Sequence, residues 1–106
     1  MGGDYLTKSV MSNERQCFIC HDTRQLHRHH IFPGIGRREM SEHFGLWVYL
    51  CPRHHNMSDV GVHSNKILDE NLKKMGQRKF EETHTRAEWH RYFGRSYLEE
   101  EDDEQN

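Results

Sequence analysis

Apolar residues along the chain are concentrated in two short segments that have the pattern of β-strands. Residues 46–51, LWVYLC, are apolar, aromatic or β-branched throughout, which is typical of a buried strand. Residues 26–32, LHRHHIF, form a more polar strand candidate, and the following PGIG ends it because proline and glycine interrupt regular structure. The pattern therefore predicts two strands, separated by a loop with a short helical turn at SEHFG.

Helical patterns follow the second strand. Pro52 suits the first position of a helix, so PRHHNM is predicted to begin one, and SDVGV after it is predicted to be a loop. A longer helix is predicted over residues 65–75, where Leu68, Leu72 and Met75 lie on one face.

The last predicted helix begins at a capping box, in which Thr85 is the N-cap and Glu88 lies three residues further on. Gly94 ends this helix, and its packing face is aromatic: Trp89, Tyr92 and Phe93. We interpret this aromatic cluster as core rather than as a surface that stacks on bases. The order strand, strand, helix, followed by two accessory helices, predicts a small α+β domain.

The composition allows only a small hydrophobic core. The chain has 106 residues, 33% of them hydrophobic, and a mean hydropathy of -1.08, so an additional constraint on the fold is expected. Three cysteines, an odd number, and an N-terminus without an apolar run argue against a secreted disulfide framework. We therefore expect a cytoplasmic protein with reduced thiols and no membrane-spanning segment.

Charge is unevenly distributed along the chain. The formal net charge is -2, but the run EEEDDE at residues 99–104 holds six of the seventeen acidic residues. Residues 1–98 therefore carry fifteen Lys and Arg against eleven Asp and Glu, a net of +4 that suits a polyanionic partner. We predict a flexible leader over residues 1–12, a folded domain over residues 13–98 and a disordered acidic tail over residues 99–106.

Two short metal-ligand patterns have thirty residues between them. Cys17 and Cys20 form a C-x2-C pair in a predicted tight turn, and Cys51 precedes two histidines at the junction of the second strand and the helix. Three thiolates and one imidazole suit tetrahedral zinc, and either His54 or His55 could be the fourth ligand. A C-x2-C pair can also be a redox site, but no thioredoxin-like pattern surrounds this one. We therefore predict structural zinc held by Cys17, Cys20, Cys51 and His54.

A zinc ion at these residues would also bring a second set of histidines together. It would fold the segment RHHIFPG, residues 28–34, beside the start of the helix at Pro52. Adjacent helical residues point about 100° apart, so His55 would leave the zinc site and face His29 or His30. His63, which follows a loop, is either a further ligand at that second site or a surface imidazole.

The order of these motifs resembles that of HNH nucleases, which have the small ββα-metal fold, also called the His-Me finger. The similar elements are C-x2-C, HHIFP and LC-x2-HHN. The overall sequence pattern of residues 16–98 also resembles that of small phage and prophage HNH endonucleases. The resemblance implies a metal-dependent DNA endonuclease that hydrolyses phosphodiester bonds and leaves 5′-phosphate and 3′-hydroxyl ends.

The resemblance also implies roles for individual histidines. His30 falls on the general base that takes a proton from water. His29 and His55 fall on ligands of a catalytic divalent cation, with His63 as a candidate added ligand. The cation would be Mg²⁺ or Mn²⁺, although imidazoles also accept Zn²⁺ or Ni²⁺, and it would act as a Lewis acid on the phosphate.

One position departs from the family's pattern. The Asn in the middle of the family's HNH motif orients the loop that carries the general base. At the corresponding positions this chain has Gly45 and Leu46. The role of that Asn would pass to a backbone carbonyl or to His43, and Asn56 is a further candidate.

Basic residues near the proposed site suit contacts with DNA. We assign Arg28, Arg37, Arg38 and Lys66 to the binding of backbone phosphates, with weak sequence preference. The remaining histidines are predicted to be surface residues: His21, His27, His84 and His90.

Two other functions remain open at the level of sequence. The chain could be a non-catalytic, zinc-ribbon-like module that binds DNA or RNA, which the missing Asn would favour. It could also be an accessory subunit of a phage packaging machine that is active only with its partners. As a nuclease, a monomer would nick one strand, whereas a homodimer could cut both.

Overall fold

The fold is built on an antiparallel pair of short strands. A computed structural model describes residues 8–57 and 61–98 of the chain. Strand β1, His27–His30, pairs with β2, Trp47–Leu50, in the register that places His29 opposite Val48. Both strands that the sequence predicts are confirmed, and the protein is a small α+β fold with a two-stranded sheet.

Helices surround this strand pair. Helix α1, Arg37–His43, connects the strands, and a π-helix, Arg53–Met57, follows β2. Two longer helices complete the described part of the chain: α2, Lys66–Phe80, and α3, Arg86–Phe93. The predicted order of elements is confirmed, although α1 begins earlier than SEHFG.

The helix after β2 differs from its prediction, since it is a single five-residue π-helical segment. Its carbonyls do not continue a regular helix. The carbonyl of His54 accepts from the amide of Val62 at 2.7 Å, and the carbonyl of His55 accepts from the amide of His63 at 3.2 Å. The returning loop therefore takes the hydrogen-bond positions that a further helical turn would occupy.

Helix α2 is longer than predicted, and Leu68 and Leu72 of its predicted face pack inward while Met75 does not. Leu72, Gly76 and Phe80 are buried, whereas Met75 is 39% exposed. A Cβ on Gly76 would lie 3.1 Å from Cε2 of Phe32, so the missing side chain lets the helix pack directly against the core. The prediction that Met75 packs in the core is wrong. The spacing of apolar residues does not count a glycine as part of a buried face, so it missed the contribution of Gly76.

Helix α3 has the predicted capping box. The hydroxyl of Thr85 accepts from the amide of Glu88 at 3.1 Å, and the Glu88 carboxylate accepts from the amide of Thr85 at 2.9 Å. Trp89 and Phe93 are buried and stacked with ring centroids 4.3 Å apart, and Phe32 packs against both. The aromatic cluster lies in the core, as predicted.

A buried glutamine fastens the segment that follows α3. Nε2 of Gln77 donates to the hydroxyl of Ser96 at 3.0 Å, and its Oε1 accepts from the amide of Tyr97 at 2.7 Å. The indole of Trp89 donates to the carbonyl of Arg95 at 2.8 Å. These bonds satisfy buried polar groups and hold the chain against the core as far as residue 98.

At the N-terminal side, part of the predicted leader contacts the fold. The hydroxyl of Ser9 donates to the carbonyl of Trp47, and the amide of Val10 donates to the carbonyl of Gly45. The predicted acidic tail, residues 99–106, lies outside the described residues. Across the two described ranges, no helix has both the length and the apolar character needed to cross a membrane.

Candidate metal centres

Three sulfur atoms and one imidazole nitrogen converge beside the strand pair. Cys17 and Cys20 lie in the predicted turn, Cys51 follows β2, and His54 lies in the π-helix. Sγ of Cys20 is 3.7 Å from Sγ of Cys51. Nδ1 of His54 is 3.4 Å from Sγ of Cys51 and 3.8 Å from Sγ of Cys17. One ligand atom from each of the four residues lies within 4.8 Å of all the others.

These separations match the edges of a tetrahedral zinc site. Zn–S bonds of about 2.3 Å and Zn–N bonds of about 2.05 Å give edges of about 3.8 Å between sulfurs and about 3.6 Å between sulfur and nitrogen. A disulfide would need two sulfurs about 2.05 Å apart, and all three cysteines are free. The four residues therefore could bind a zinc ion, and the geometry selects His54 rather than His55 as the imidazole.

The neighbouring sulfurs oppose the ionisation of Cys20 but not that of Cys17. Burial disfavours the thiolate of Cys17, but backbone hydrogen bonds at Cys20 and Cys51 outweigh it and hold the pKa of Cys17 below its ordinary value. A backbone hydrogen bond at Asp22 favours the thiolate of Cys20, yet burial and the sulfurs of Cys17 and Cys51 raise the pKa of Cys20. A cation among the sulfurs would relieve this opposition.

A second cluster consists of three histidines from three separate segments. His29 lies on β1, His55 in the π-helix and His63 in the loop that follows. One nitrogen of each ring lies within 4.8 Å of the other two, and Nε2 of His55 is 3.0 Å from Nε2 of His63. Nitrogens bound to one metal at about 2.05 Å are about 3 Å apart, so these rings could share an ion. His63 therefore belongs to the cluster.

His29 has the environment of a metal ligand. It is only 4% exposed, and its Nε2 is buried without a hydrogen-bond partner among the described residues. Burial first, then the neighbouring His55 and His63, lowers the pKa of His29 to about 3. The ring is therefore neutral near pH 7 and keeps a lone pair. An unpaired buried nitrogen is costly unless something binds it, and a cation would do so.

His27 was predicted to be a surface residue, but it also contacts a histidine of the second cluster. Its side chain is exposed, as predicted, but its Nδ1 lies 2.9 Å from Nδ1 of His55, on the side opposite the contact between His55 and His63. Alternation along β1 was the available signal, because His27 and His29 must share a face of the strand. His84 is also more than a surface residue, since its ring stacks on Phe80 at 4.3 Å.

His30 points from the other face of β1. Its Nε2 is 2.8 Å from Oε1 of Glu42, whose second oxygen accepts from Arg28 at 2.7 Å. The guanidinium of Arg28 lies 3.7 Å from the centre of the Trp47 indole. Arg28, which the sequence assigned to DNA, therefore makes contacts within the protein.

Two clefts adjoin the histidines. One, of about 220 Å³, is lined by His29, His30, His55, His63 and Arg38 among others. The other, of about 390 Å³, extends from His29 and His63 along α2 past Lys66 and Lys73. The side chain of Arg37 lies instead against Gly94, near the end of α3.

Gly45 and Leu46, the positions at which the resemblance implies an Asn, are both constrained by the fold. Gly45 has φ of 71°, and a Cβ there would lie 2.4 Å from the carbonyl oxygen of Lys8, so only glycine fits. Leu46 is fully buried in the core. His43, a candidate replacement, packs edge-on against Phe44, whereas Glu42 contacts His30.

Comparison of the chain with family models, with curated proteins and with solved structures found no match. Functional inference therefore depends on the two clusters, the clefts beside them and the motif residues themselves.

Proposed function

We propose that the protein is a metal-dependent DNA endonuclease of the HNH type, with a structural zinc ion at the Cys17 cluster. The observation that supports this most directly is the convergence of His29, His55 and His63 on one point, with the buried Nε2 of His29 unpaired. His30 opens into the same cleft without belonging to that cluster. The metal ligands and the general base are therefore different side chains at one site, as the proposed metal-dependent hydrolysis requires.

The proposed reaction uses His30 as the proton acceptor. His30 takes a proton from a water molecule, whose oxygen attacks the phosphorus of the bound phosphodiester. The bond between phosphorus and the 3′ oxygen breaks, and the leaving oxygen is protonated from solvent, which gives a 5′-phosphate and a 3′-hydroxyl. Arg38 in the same cleft and Lys66 in the adjoining one would hold DNA phosphates through charge.

His29, His55 and His63 would hold the catalytic cation. When bound, a divalent cation supplies Lewis-acid stabilisation of the negative charge that builds on the phosphate. Three imidazoles leave coordination positions free for phosphate and water. Because nitrogen ligands suit Mn²⁺, Ni²⁺ or Zn²⁺ better than Mg²⁺, we expect Mn²⁺ to support cleavage more strongly than Mg²⁺.

Nicking of supercoiled plasmid tests this function. Purified protein with Mn²⁺ should convert supercoiled plasmid to open circles, and EDTA should stop the conversion. Protein that retards DNA but leaves it intact with Mg²⁺, Mn²⁺, Ni²⁺ and Zn²⁺ alike would contradict the endonuclease and support the zinc-containing binding module.

Replacement of the base provides the second test. His30→Ala should lower the nicking rate by about a hundredfold or more, because proton transfer by a positioned side chain contributes on that order. Zinc content and Mn²⁺ affinity should not change, since His30 belongs to neither cluster. A His30→Ala protein that nicks at the wild-type rate would remove His30 as the base.

A further inference from the structure

A carboxylate lies against the Nε2 edge of the His30 ring. Oε1 of Glu42 is 2.8 Å from Nε2 of His30, and Oε2 is 2.7 Å from Nη1 of Arg28. The side chains of His30 and Glu42 are 12% and 18% exposed, so this contact is largely shielded from water. Such a hydrogen bond is more persistent than one formed at the surface.

The position of Glu42 is set by its neighbour on α1. The hydroxyl of Ser41 accepts from the amide of Phe32 at 3.0 Å and donates to the carbonyl of Phe32 at 3.1 Å. Ser41 is fully buried, so this pair of bonds fixes α1 against the chain just beyond β1. Glu42 is thereby held opposite His30 by hydrogen bonds in which no residue of either metal cluster takes part.

Arg28 completes the environment of the carboxylate. It lies two residues before His30 on the same face of β1 and donates to the second oxygen of Glu42. Its guanidinium is held by the indole of Trp47. The positive charge of Arg28 thus compensates the negative charge of Glu42 in a partly buried site.

A carboxylate beside an imidazole selects one tautomer. An ionised carboxylate only accepts hydrogen bonds, so the nitrogen facing it must carry the hydrogen. For a neutral His30, the hydrogen is then on Nε2 and the lone pair is on Nδ1. A general base needs a lone pair directed at the water that it deprotonates, and the other tautomer would have none on Nδ1.

We propose, on the basis of the endonuclease function proposed above, that Glu42 is the positioning residue of the base: it holds His30 by Nε2–H and leaves Nδ1 to accept the proton of the attacking water. Glu42 replaces the family's middle Asn, for which the backbone at Gly45 leaves no room. Glu42 contacts neither water nor phosphate in this scheme. Its effect on the reaction passes entirely through the orientation and tautomer of His30.

The test compares three variants of α1 by ¹⁵N NMR of the His30 ring and by steady-state nicking. Wild-type protein, measured at a pH where the ring is neutral, should show the signals of the tautomer that carries its hydrogen on Nε2. Glu42→Ala should give a mixture of tautomers and a kcat reduced by about a hundredfold, with KM for DNA changed less than threefold. Glu42→Gln has only one oxygen for two donors, and Arg28 must keep that oxygen because a guanidinium cannot accept a hydrogen bond. The amide NH2 would then face Nε2, so this variant should shift His30 toward the tautomer with its hydrogen on Nδ1 and lower kcat as far as Glu42→Ala does.

Glu39→Ala is the matched control. It removes the same charge from the same helix, but Glu39 is exposed to solvent, so its variant should keep the wild-type tautomer and kcat. Zinc content measured on every variant monitors the fold. If Glu42→Ala does not fold, Glu42→Gln, which has nearly the same shape, decides by its NMR signals whether the carboxylate sets the tautomer.

Two failures are distinguishable. Wild-type protein that never nicks DNA with any of the metals overturns the endonuclease itself. A wild-type protein that nicks DNA, together with a Glu42→Ala protein that keeps its tautomer and kcat, overturns the role of Glu42 alone. A fall in kcat with an unchanged tautomer also overturns it, because the effect would then not pass through the ring of His30.

Discussion

His55 makes contacts through both of its ring nitrogens. Nε2 faces His63 in the cation cluster, while Nδ1 faces Nδ1 of His27. If Nε2 binds a cation, Nδ1 must carry the hydrogen, and His27 is placed to accept it. Partners of this kind fix the orientation and tautomer of a ligand and contribute to metal affinity without touching the metal.

His27→Ala is therefore expected to weaken Mn²⁺ binding by about tenfold to a hundredfold, since the loss of such a partner typically has that effect. Isothermal titration of the zinc-loaded protein with Mn²⁺ measures it. His90→Ala is the control, because His90 contacts the carbonyl of Gly94 at the end of α3. Equal Mn²⁺ affinity in the His27→Ala and His90→Ala proteins would show that His27 does not support His55.

At the scale of elements, the π-helix separates the two clusters. Two adjacent residues serve different sites, because His54 turns toward the sulfurs and His55 toward His29 and His63. The loop that returns to the π-helix brings His63 with it, since the amide of His63 bonds to the carbonyl of His55. One short element thus supplies ligands to both clusters.

Replacing each of the two adjacent histidines in the π-helix should affect zinc content differently. His54→Ala should reduce zinc content well below one ion per chain, because it removes one of four ligands. His55→Ala should leave one zinc bound and lose only the binding of added Mn²⁺. Metal analysis after dialysis measures both variants, and full zinc retention by His54→Ala would contradict the proposed ligand set.

The packing of α2 makes a prediction about stability. Gly76→Ala should stabilise the helix itself by about 1 kcal/mol. The new Cβ would, however, press on Phe32, whose ring already packs against both Trp89 and Phe93. Overpacking typically costs about 1 to 3 kcal/mol. The net loss of about 1 kcal/mol should lower Tm by about 4 to 8 °C.

Thermal unfolding followed by circular dichroism measures this loss. Met75→Ala is the matched control on the same helix, because Met75 is exposed and should leave Tm within about 2 °C of wild type. A Gly76→Ala protein more stable than wild type would show that the core accommodates the added methyl group.

At the scale of the whole molecule, the sulfur cluster joins distant parts of a chain with little apolar surface. It connects the turn at Cys17 to the start of the π-helix, and β1 lies between them in sequence. With only 33% hydrophobic residues, the chain can build only a small hydrophobic core. We therefore expect zinc binding and folding to be strongly coupled.

Removal of the metal should consequently destabilise the entire fold. Prolonged chelation of wild-type protein, or Cys51→Ser, should lower Tm by more than about 10 °C, because loss of the ion removes at least about 2 kcal/mol of stability. Chelator should have no further effect on Cys51→Ser. A chelated wild-type protein that unfolds at the original temperature would show that the core is sufficient without zinc.

Local patterns determined much of this protein. Apolar and β-branched residues predicted both strands, the capping box at Thr85 predicted α3, and the cysteine spacing predicted a four-residue metal cluster. Each of these features depends on residues close together in sequence or on ligand chemistry that spacing reveals. Strand alternation also placed His27 on the same face as His29, although its contact with His55 was not predicted.

Only the tertiary structure decided how the histidines are divided and what faces them. Sequence assigned His54 to the zinc site but left His55 open as an alternative, because the difference lies in a π-helix whose carbonyls bond to the loop that follows it. It also left the partner of His30 open, since Glu42 reaches that ring only after α1 is fixed to the chain beyond β1. These choices depend on contacts between separate segments of the chain, whose geometry no local pattern contains.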